Sequence, residues 1–333
     1  MYESYYGLTN KPFRLTPDPR YFFGSRGHKR ALAYLRYGLE QSEGFIVVTG
    51  EIGTGKTTLV RMLCEELGRE EFVIAQIVTT QLNADDLLRM VSNALGLDSE
   101  AAGKAVLLSR IEVFLEHQRR SDRRVLLIVD EAQNLSLEAL EELRMLSNLT
   151  IGDFPVLQSF LLGQAEFRQA LQAPGLEQFR QRVIASCHLN PLQPEETRTY
   201  IEHRLKLAGW SDSPEFKKEA FADIHRLTSG VPRRINTLVD RILLFGFLEE
   251  CKRIDAEMVR TVAEELAEEL RADGDDQPSP IPSASTDLLD NEFVSLDDLH
   301  NRVQALEHRV HALGSTLNRV MDTLRNRDGR AGP

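Results

Sequence analysis

Through the first 190 positions, short apolar runs alternate with amphipathic stretches. Residues 45–49, Phe-Ile-Val-Val-Thr, are mostly β-branched or aromatic and bounded by glycines, which predicts a buried strand. Residues 56–67 follow with Leu59, Met62, Leu63 and Leu67 at helical spacing. A second strand is predicted over 72–78, and helices over 84–95 and 105–119. Residues 125–129, Val-Leu-Leu-Ile-Val, form an unbroken apolar run, as suits a central parallel strand covered on both faces. A helix over 137–148 and strands over 156–162 and 183–188 complete the series. Such alternation predicts an α/β, doubly wound, five-stranded parallel sandwich over 44–190.

Beyond Pro191 the pattern changes. Residues 195–207, 214–227, 233–248 and 255–271 all read as helices with no strand between them, a small all-helical domain over 191–271. Residues 272–293 are rich in Asp, Pro and Ser and cannot bury a core, so they read as a linker. Leu296, Leu299, Val303, Leu306, Val310, Leu313, Leu317, Val320 and Leu324 then recur in steps of three and four. This is the a/d seam of a coiled coil over 294–327, open to self-association, to a partner or to packing back on the body. Residues 1–43 form an aromatic segment (Tyr2, Tyr5, Tyr6, Phe13, Tyr21, Phe22, Phe23) ending in a helix over 28–41.

Charge and cysteine content narrow the function classes. A net charge of −11 argues against a general nucleic-acid coat. The clusters Arg119-Arg120, Arg123-Arg124 and Lys217-Lys218 are the only support for DNA, and their plain reading is solvated surface. Three dispersed cysteines, Cys64, Cys187 and Cys251, fit a reducing cytosol with neither a disulfide frame nor a zinc site. No stretch reads as a targeting signal or reaches bilayer length. The expected location is cytoplasmic, with any membrane association made through a partner.

The chemistry concentrates in two runs. Gly50-Glu51-Ile52-Gly53-Thr54-Gly55-Lys56-Thr57-Thr58 lies between a predicted strand and a predicted helix, the context that makes it a phosphate-binding loop. Its glycines let backbone amides converge on phosphates, and the helix start adds a positive dipole end. Lys56 is placed to reach the β- and γ-phosphates of ATP, and Thr57 to ligate Mg²⁺. Asp130 follows the apolar strand 125–129 and so emerges at the carboxyl edge beside that loop. It is expected to hold Mg²⁺, with Glu131 polarising the attacking water. The run Asp130-Glu131-Ala132-Gln133 also looks like a helicase box, but such helicases need a second sheet domain, and here the second domain is helical.

With these motifs in place, residues 44–270 resemble the AAA+ ATPases, in which a helical lid follows the sheet domain. The resemblance implies that Arg233, in Gly230-Val231-Pro232-Arg233-Arg234-Ile235-Asn236, senses the γ-phosphate from the lid. Gln164 takes the position of the sensor at the end of the fourth strand. Phe179-Arg180-Gln181-Arg182 precedes the fifth strand, where the family carries a finger that acts on a neighbouring subunit; Arg182 is favoured slightly over Arg180. A homo-oligomeric ring or filament, hexamer-like, is the implied active unit.

The amino end narrows the resemblance. Tyr5-Tyr6-Gly7-Leu8, Pro12-Phe13, Thr16-Pro17-Asp18-Pro19 and Tyr21-Phe22-Phe23 look like the opening of the general secretion pathway A (ExeA-like) ATPases. Gly163-Gln164-Ala165-Glu166-Phe167 and residues 176–182 fit the same branch. Within it, the chain most resembles the secretion ATPases of PEP-CTERM/exosortase (XrtA) loci, which accompany exopolysaccharide genes. Phe22, Phe23 or His28 is expected against the adenine, with plain packing the alternative. The branch carries a transmembrane helix and a peptidoglycan-binding domain after the ATPase module, where this sequence has a linker and heptads. The implied role is to power or regulate envelope secretion or polysaccharide export through a membrane-associated partner docked on the coiled coil. A DNA-engaging regulator of the transposition (TnsC-like) type and a slow nucleotide switch stand as alternatives.

Overall fold

The computed structural model describes residues 1–272, apart from 17, 42, 69, 80–82, 101 and 153. The segments read as linker (272–293) and coiled coil (294–327) lie outside the described residues, save Ala272, which ends the last helix. The chain opens with α1 (Tyr2–Tyr6) and α2 (Arg26–Gln41). Five strands then build the sheet: β1 (Phe45–Gly50), β2 (Phe72–Val78), β3 (Arg124–Asp130), β4 (Leu157–Gly163) and β5 (Val183–Leu189). They hydrogen-bond in the order β2-β3-β4-β1-β5, parallel at every pairing.

Parallel pairing requires crossovers, and each is helical. These are α3 (Lys56–Glu66), α4 (Ala84–Ala94) with α5 (Lys104–Arg120), α6 (Leu137–Leu146), and the short α7 (Ala165–Ala170) and α8 (Glu177–Arg180). Successive strand residues alternate between two cores, as the pleat demands. Val47, Ala75, Leu127 and Leu161 pack with α4, α5 and α6, whereas Val48, Leu126, Ile128 and Phe160 pack with α2 and α3. Every residue of β1 is buried, which explains why its sequence shows a continuous apolar run instead of alternation.

A third core is helical. It unites α9 (Pro194–Leu207), α10 (Lys218–Thr228), α11 (Pro232–Leu248) and α12 (Ala256–Ala272). A two-residue parallel ladder, Glu215–Phe216 with Arg253–Ile254, joins these helices and is absent from the sequence reading. The helix expected from 214 starts at Lys218 because the amides of Glu215 and Lys217 donate to Lys252 O and Ile254 O instead.

The amino-terminal segment, read from sequence as one unit over 1–43, divides between two cores. Tyr2, Tyr6, Leu8 and Phe13 are buried among the lid helices, with the Tyr2 hydroxyl on Asp240 and the Tyr6 hydroxyl on Cys251 O. Helix α2 packs on the sheet instead, through Ala31, Leu35 and Leu39. Residues 14–25 therefore run from the lid to the sheet.

Phe45 anchors the centre of this arrangement, fully buried and stacked on Phe179 with ring centroids 4.3 Å apart. We expect Phe45→Ala to cost about 3–5 kcal/mol, read as a lowered denaturant midpoint with unchanged slope. A loss below about 1 kcal/mol would mean that the sheet repacks freely around α8.

Candidate functional site

Strand β1 delivers the chain to the carboxyl edge of the sheet, where residues 51–55 turn back into α3. Gly53 and Gly55 adopt φ values of 85° and 97°, a region that L side chains rarely occupy. Space excludes a side chain at Gly53 as well: a Cβ there would lie 2.5 Å from Arg233 Cβ at the start of α11. The Arg233 amide donates to Gly53 O at 3.2 Å, so lid and loop are in direct contact.

Lys56 folds back under this loop. Its ammonium donates to Gly50 O (2.8 Å) and Glu51 O (3.0 Å), and the residue is buried. Burial pushes its pKa down, opposed by the negative charges of Glu131, Asp130 and Glu166. One residue on, the Thr57 hydroxyl donates to Asp130 Oδ2 at 2.8 Å. Asp130 ends β3 and is itself buried, its other oxygen accepting from the Glu131 amide at 3.0 Å. The hydroxyl and carboxylate are hard oxygen ligands that fit Mg²⁺. Among the described residues, no group of three or more His, Cys, Asp or Glu could hold a metal unaided.

Glu131 sits at φ 55°, ψ 40°, a left-handed conformation that costs a non-glycine residue about 1–3 kcal/mol. Its surroundings hold it there. The Thr79 hydroxyl, just past β2, lies 2.6 Å from Glu131 O and 3.0 Å from Asp130 O, and Asn134 Nδ2 donates to Thr79 O. The carboxylate accepts from Gln133 Nε2 at 2.6 Å and from Gln164 Nε2 at 3.3 Å.

A single cleft brings together Ile52, Gly53, Thr54, Gly55, Lys56, Thr57, Thr58, Glu131 and Arg233 with Phe23 and His28. Gly50 and Glu51 contribute their carbonyls to Lys56 from beneath. The Arg233 guanidinium has no hydrogen-bond or ion-pair partner among the described residues. His28 is buried, with Nδ1 2.7 Å from Ser25 Oγ and Nε2 3.1 Å from Thr54 O. Since a carbonyl only accepts, Nε2 carries the proton, and His28 props the phosphate loop from α2. Phe22 meets the His28 ring edge-on, and Phe23 packs against Tyr200 and His203 of α9.

Arg180 and Arg182 lie elsewhere. Arg180 donates to Leu171 O and Ala173 O and pairs with Glu177, while Arg182 donates to Ser147 O at 3.4 Å. Arg182 immediately precedes β5, whose Val183 pairs with Phe45, whereas Gly50 pairs with Leu189. Five residues of strand separate the two ends, roughly 17 Å, so Arg182 stands at the edge of the sheet opposite its own phosphate loop.

Sequence reading missed Thr79, Gln133, Asn134, Tyr200, Arg204 and Asn236. Thr79 could have been found as the polar residue ending a strand at the functional edge, and Gln133 by its place in the acidic run. The lid residues carry no local signal.

A family model described as an AAA domain matches residues 39–171. General secretion pathway protein A of Aeromonas hydrophila is 39% identical over 255 residues, 76% of this chain and 46% of that protein. The chain thus spans less than half the length of that relative. Among solved structures, Aeropyrum pernix ORC2 superposes with TM-score 0.59 at 16% identity, covering 77% of this chain and 71% of that one. Cdc6p of Pyrobaculum aerophilum gives 0.57 at 18%, covering 79% and 70%. These likenesses establish the fold, the AAA+ P-loop fold, here a parallel five-stranded sheet followed by a small helical domain.

Two outcomes test the geometry. Gly53→Ala should abolish nucleotide binding in calorimetry while leaving the far-ultraviolet circular dichroism intact, because the new methyl separates loop from lid. His28, whose pKa burial pulls below its ordinary 6.5, stabilises the fold above that value. As pH falls, the unfolded chain takes up the proton that folded His28 refuses, so this stability is lost. The melting-temperature gap between wild type and His28→Gln should accordingly shrink between about pH 7 and pH 5.5; a constant gap refutes the linkage.

Proposed function

Starting from an AAA+ domain whose phosphate loop, carboxylate pair and lid arginine share one cleft, we propose that this chain binds ATP with Mg²⁺ and hydrolyses it to ADP and phosphate. The observation that carries the reading is the convergence of Lys56, Thr57, Glu131 and Arg233 on one opening, with Asp130 hydrogen-bonded to Thr57. Backbone amides of residues 53–57 and the α3 dipole receive the phosphates. Lys56 exchanges its carbonyl partners for β- and γ-phosphate oxygens. Thr57 and Asp130 would hold the Mg²⁺, which supplies charge neutralisation between those phosphates. Glu131 orients and polarises the attacking water, its carboxylate aimed by the amides of Gln133 and Gln164. Arg233, unpaired and on the first turn of α11, reports the γ-phosphate to the lid.

Arg182 cannot serve its own site from the far edge of the sheet, and this supports a finger given to a neighbour. A copy docked head to tail would bring one molecule's Arg182 edge against the next one's cleft. Repeating that contact closes a ring or extends a filament. Arg180, tied to two carbonyls and Glu177, is the weaker candidate.

The client process is read from the likeness to general secretion pathway protein A and from the amino-terminal motifs. We assign the chain to an envelope secretion or exopolysaccharide export system of the PEP-CTERM/exosortase kind. In this reading it acts from the cytoplasmic side, with the heptads of 294–327 engaging a membrane-associated partner. No helix among the described residues is long and apolar enough to cross a membrane. The DNA alternative is the weaker reading, because Arg119, Arg120 and Lys217 among its basic residues are paired with acids. Arg120 pairs with Glu116, Arg119 with Asp122 and Lys217 with Glu215.

Lys56→Ala should eliminate ATP binding, and Glu131→Gln should bind ATP yet hydrolyse it at least ~100-fold more slowly. Arg182→Ala should cost on the order of 10³-fold in turnover. Mixing Lys56→Ala with Arg182→Ala should restore part of the activity, since one partner supplies the finger and the other the cradle. No recovery at any ratio would sink the shared-site reading.

A further inference from the structure

At the end of the cleft away from the phosphate loop, a buried positive charge has no opposite. Arg204, on α9, is 8% exposed and lines the cleft. A guanidinium offers five N–H donors. Its Nε–H donates to Pro12 O at 2.6 Å and an Nη1–H to the Tyr200 hydroxyl at 3.0 Å. The rings of Tyr21, Tyr200 and Phe13 surround it, with centroids 5.0, 5.6 and 5.9 Å from the guanidinium carbon. Among the described residues no carboxylate forms an ion pair with it. Asp18 feels its charge but is engaged by Arg20. Leaving a buried cation without an ion-pair partner and with part of its donors unused is costly.

Arg204 keeps unused donors at the cleft that it lines. Nη2 has no protein acceptor among the described residues. Yet it is not sealed off, unlike the unpartnered Ser92 Oγ, Gln118 Oε1 and Asn148 Oδ1. Asn236 repeats the situation one helical turn beyond Arg233. The Tyr200 hydroxyl, which accepts from Arg204, donates in turn to Asn236 Oδ1 at 2.8 Å. With Oδ1 so engaged, Asn236 Nδ2 is left as a donor without a protein acceptor among the described residues. Two donors and the rings of Tyr21 and Phe23 therefore line one slot of the cleft. The complement of that slot is a flat, apolar-faced ring system with acceptors on its edge.

We propose that Arg204 and Asn236 select the base of the bound nucleotide, donating to the edge acceptors of a purine and connected by Tyr200. The proposal rests on the reading of the cleft as a nucleoside triphosphate site. It differs from the expectation that Phe22 or His28 carries the adenine, since His28 is committed to Ser25 and Thr54. Phe23 remains as a wall. All three polar residues belong to α9 and α11, so base recognition would depend on the position of the lid.

The test is calorimetric titration of the full-length protein, with Mg²⁺, against ATP, CTP and inorganic tripolyphosphate, which has no base. Wild type should bind ATP more tightly than CTP or tripolyphosphate. Arg204→Met and Asn236→Leu should each weaken ATP roughly tenfold to a hundredfold and leave tripolyphosphate unchanged. Arg204→Lys, which keeps the charge but loses the planar fork, should weaken ATP in the same way and guards against a folding defect in the Met variant. An equal loss for ATP and tripolyphosphate would make Arg204 a phosphate or purely structural contact and overturn the proposal. Unchanged ATP affinity in all three variants would do so as well. If wild type bound neither ATP nor tripolyphosphate, the nucleotide reading itself would fail, a separable result.

Discussion

The Thr57 hydroxyl bonds the Asp130 carboxylate across a gap that no backbone pairing bridges. Thr57 follows the loop after β1, Asp130 ends β3, and β4 lies between those strands. Two side chains from non-adjacent strands can meet only because all five strands run the same way and finish at one edge. That edge gathers the loop amides, the Lys56 ammonium and the Glu131 carboxylate within reach of one ligand. A parallel sheet with crossovers on both faces produces such an edge as a matter of topology.

Burial sets the chemistry of the edge. Lys56 is held by carbonyls that a phosphate would replace, so binding would exchange bonds from a cation to neutral carbonyls for bonds between opposite charges. Glu131 is kept in a strained backbone conformation by Thr79, and its carboxylate is gripped by two glutamine amides. Such strain persists only where surrounding bonds over-determine it, and it fixes a carboxylate more tightly than a relaxed loop could.

The amino-terminal segment couples the two halves of the molecule. Its first turns are core residues of the lid, and its later helix is a core element of the sheet domain, so residues 14–25 cross the cleft. Any rotation of the lid that shifts Arg233 must also shift this crossing. The direct contact of Gly53 with Arg233 ties the phosphate loop to the same motion. Loop, lid and crossing segment share contacts, so the position of the loop and that of the lid are mechanically linked.

The five strands and most of the helices were legible because buried parallel strands leave unbroken apolar runs and helices leave a 3.6-residue period. The phosphate loop and the Asp130-Glu131 pair were legible because their residues are contiguous and stand at strand ends. Other features depended on residues distant in sequence. The fate of Tyr2 and Tyr6 was decided by α11, more than 200 positions away, because aromatic burial is non-directional and a sequence does not say which core will take it. His28 became a prop for Thr54, and Tyr200, Arg204 and Asn236 became a cleft wall, only when α2, α9 and α11 were set against the loop. The sequence by itself therefore determined the elements, their alternation and the contiguous runs that stand at the carboxyl edge of the sheet. Tertiary structure alone decided which distant polar groups complete that site, because hydrogen-bond partners are set by packing and not by spacing along the chain.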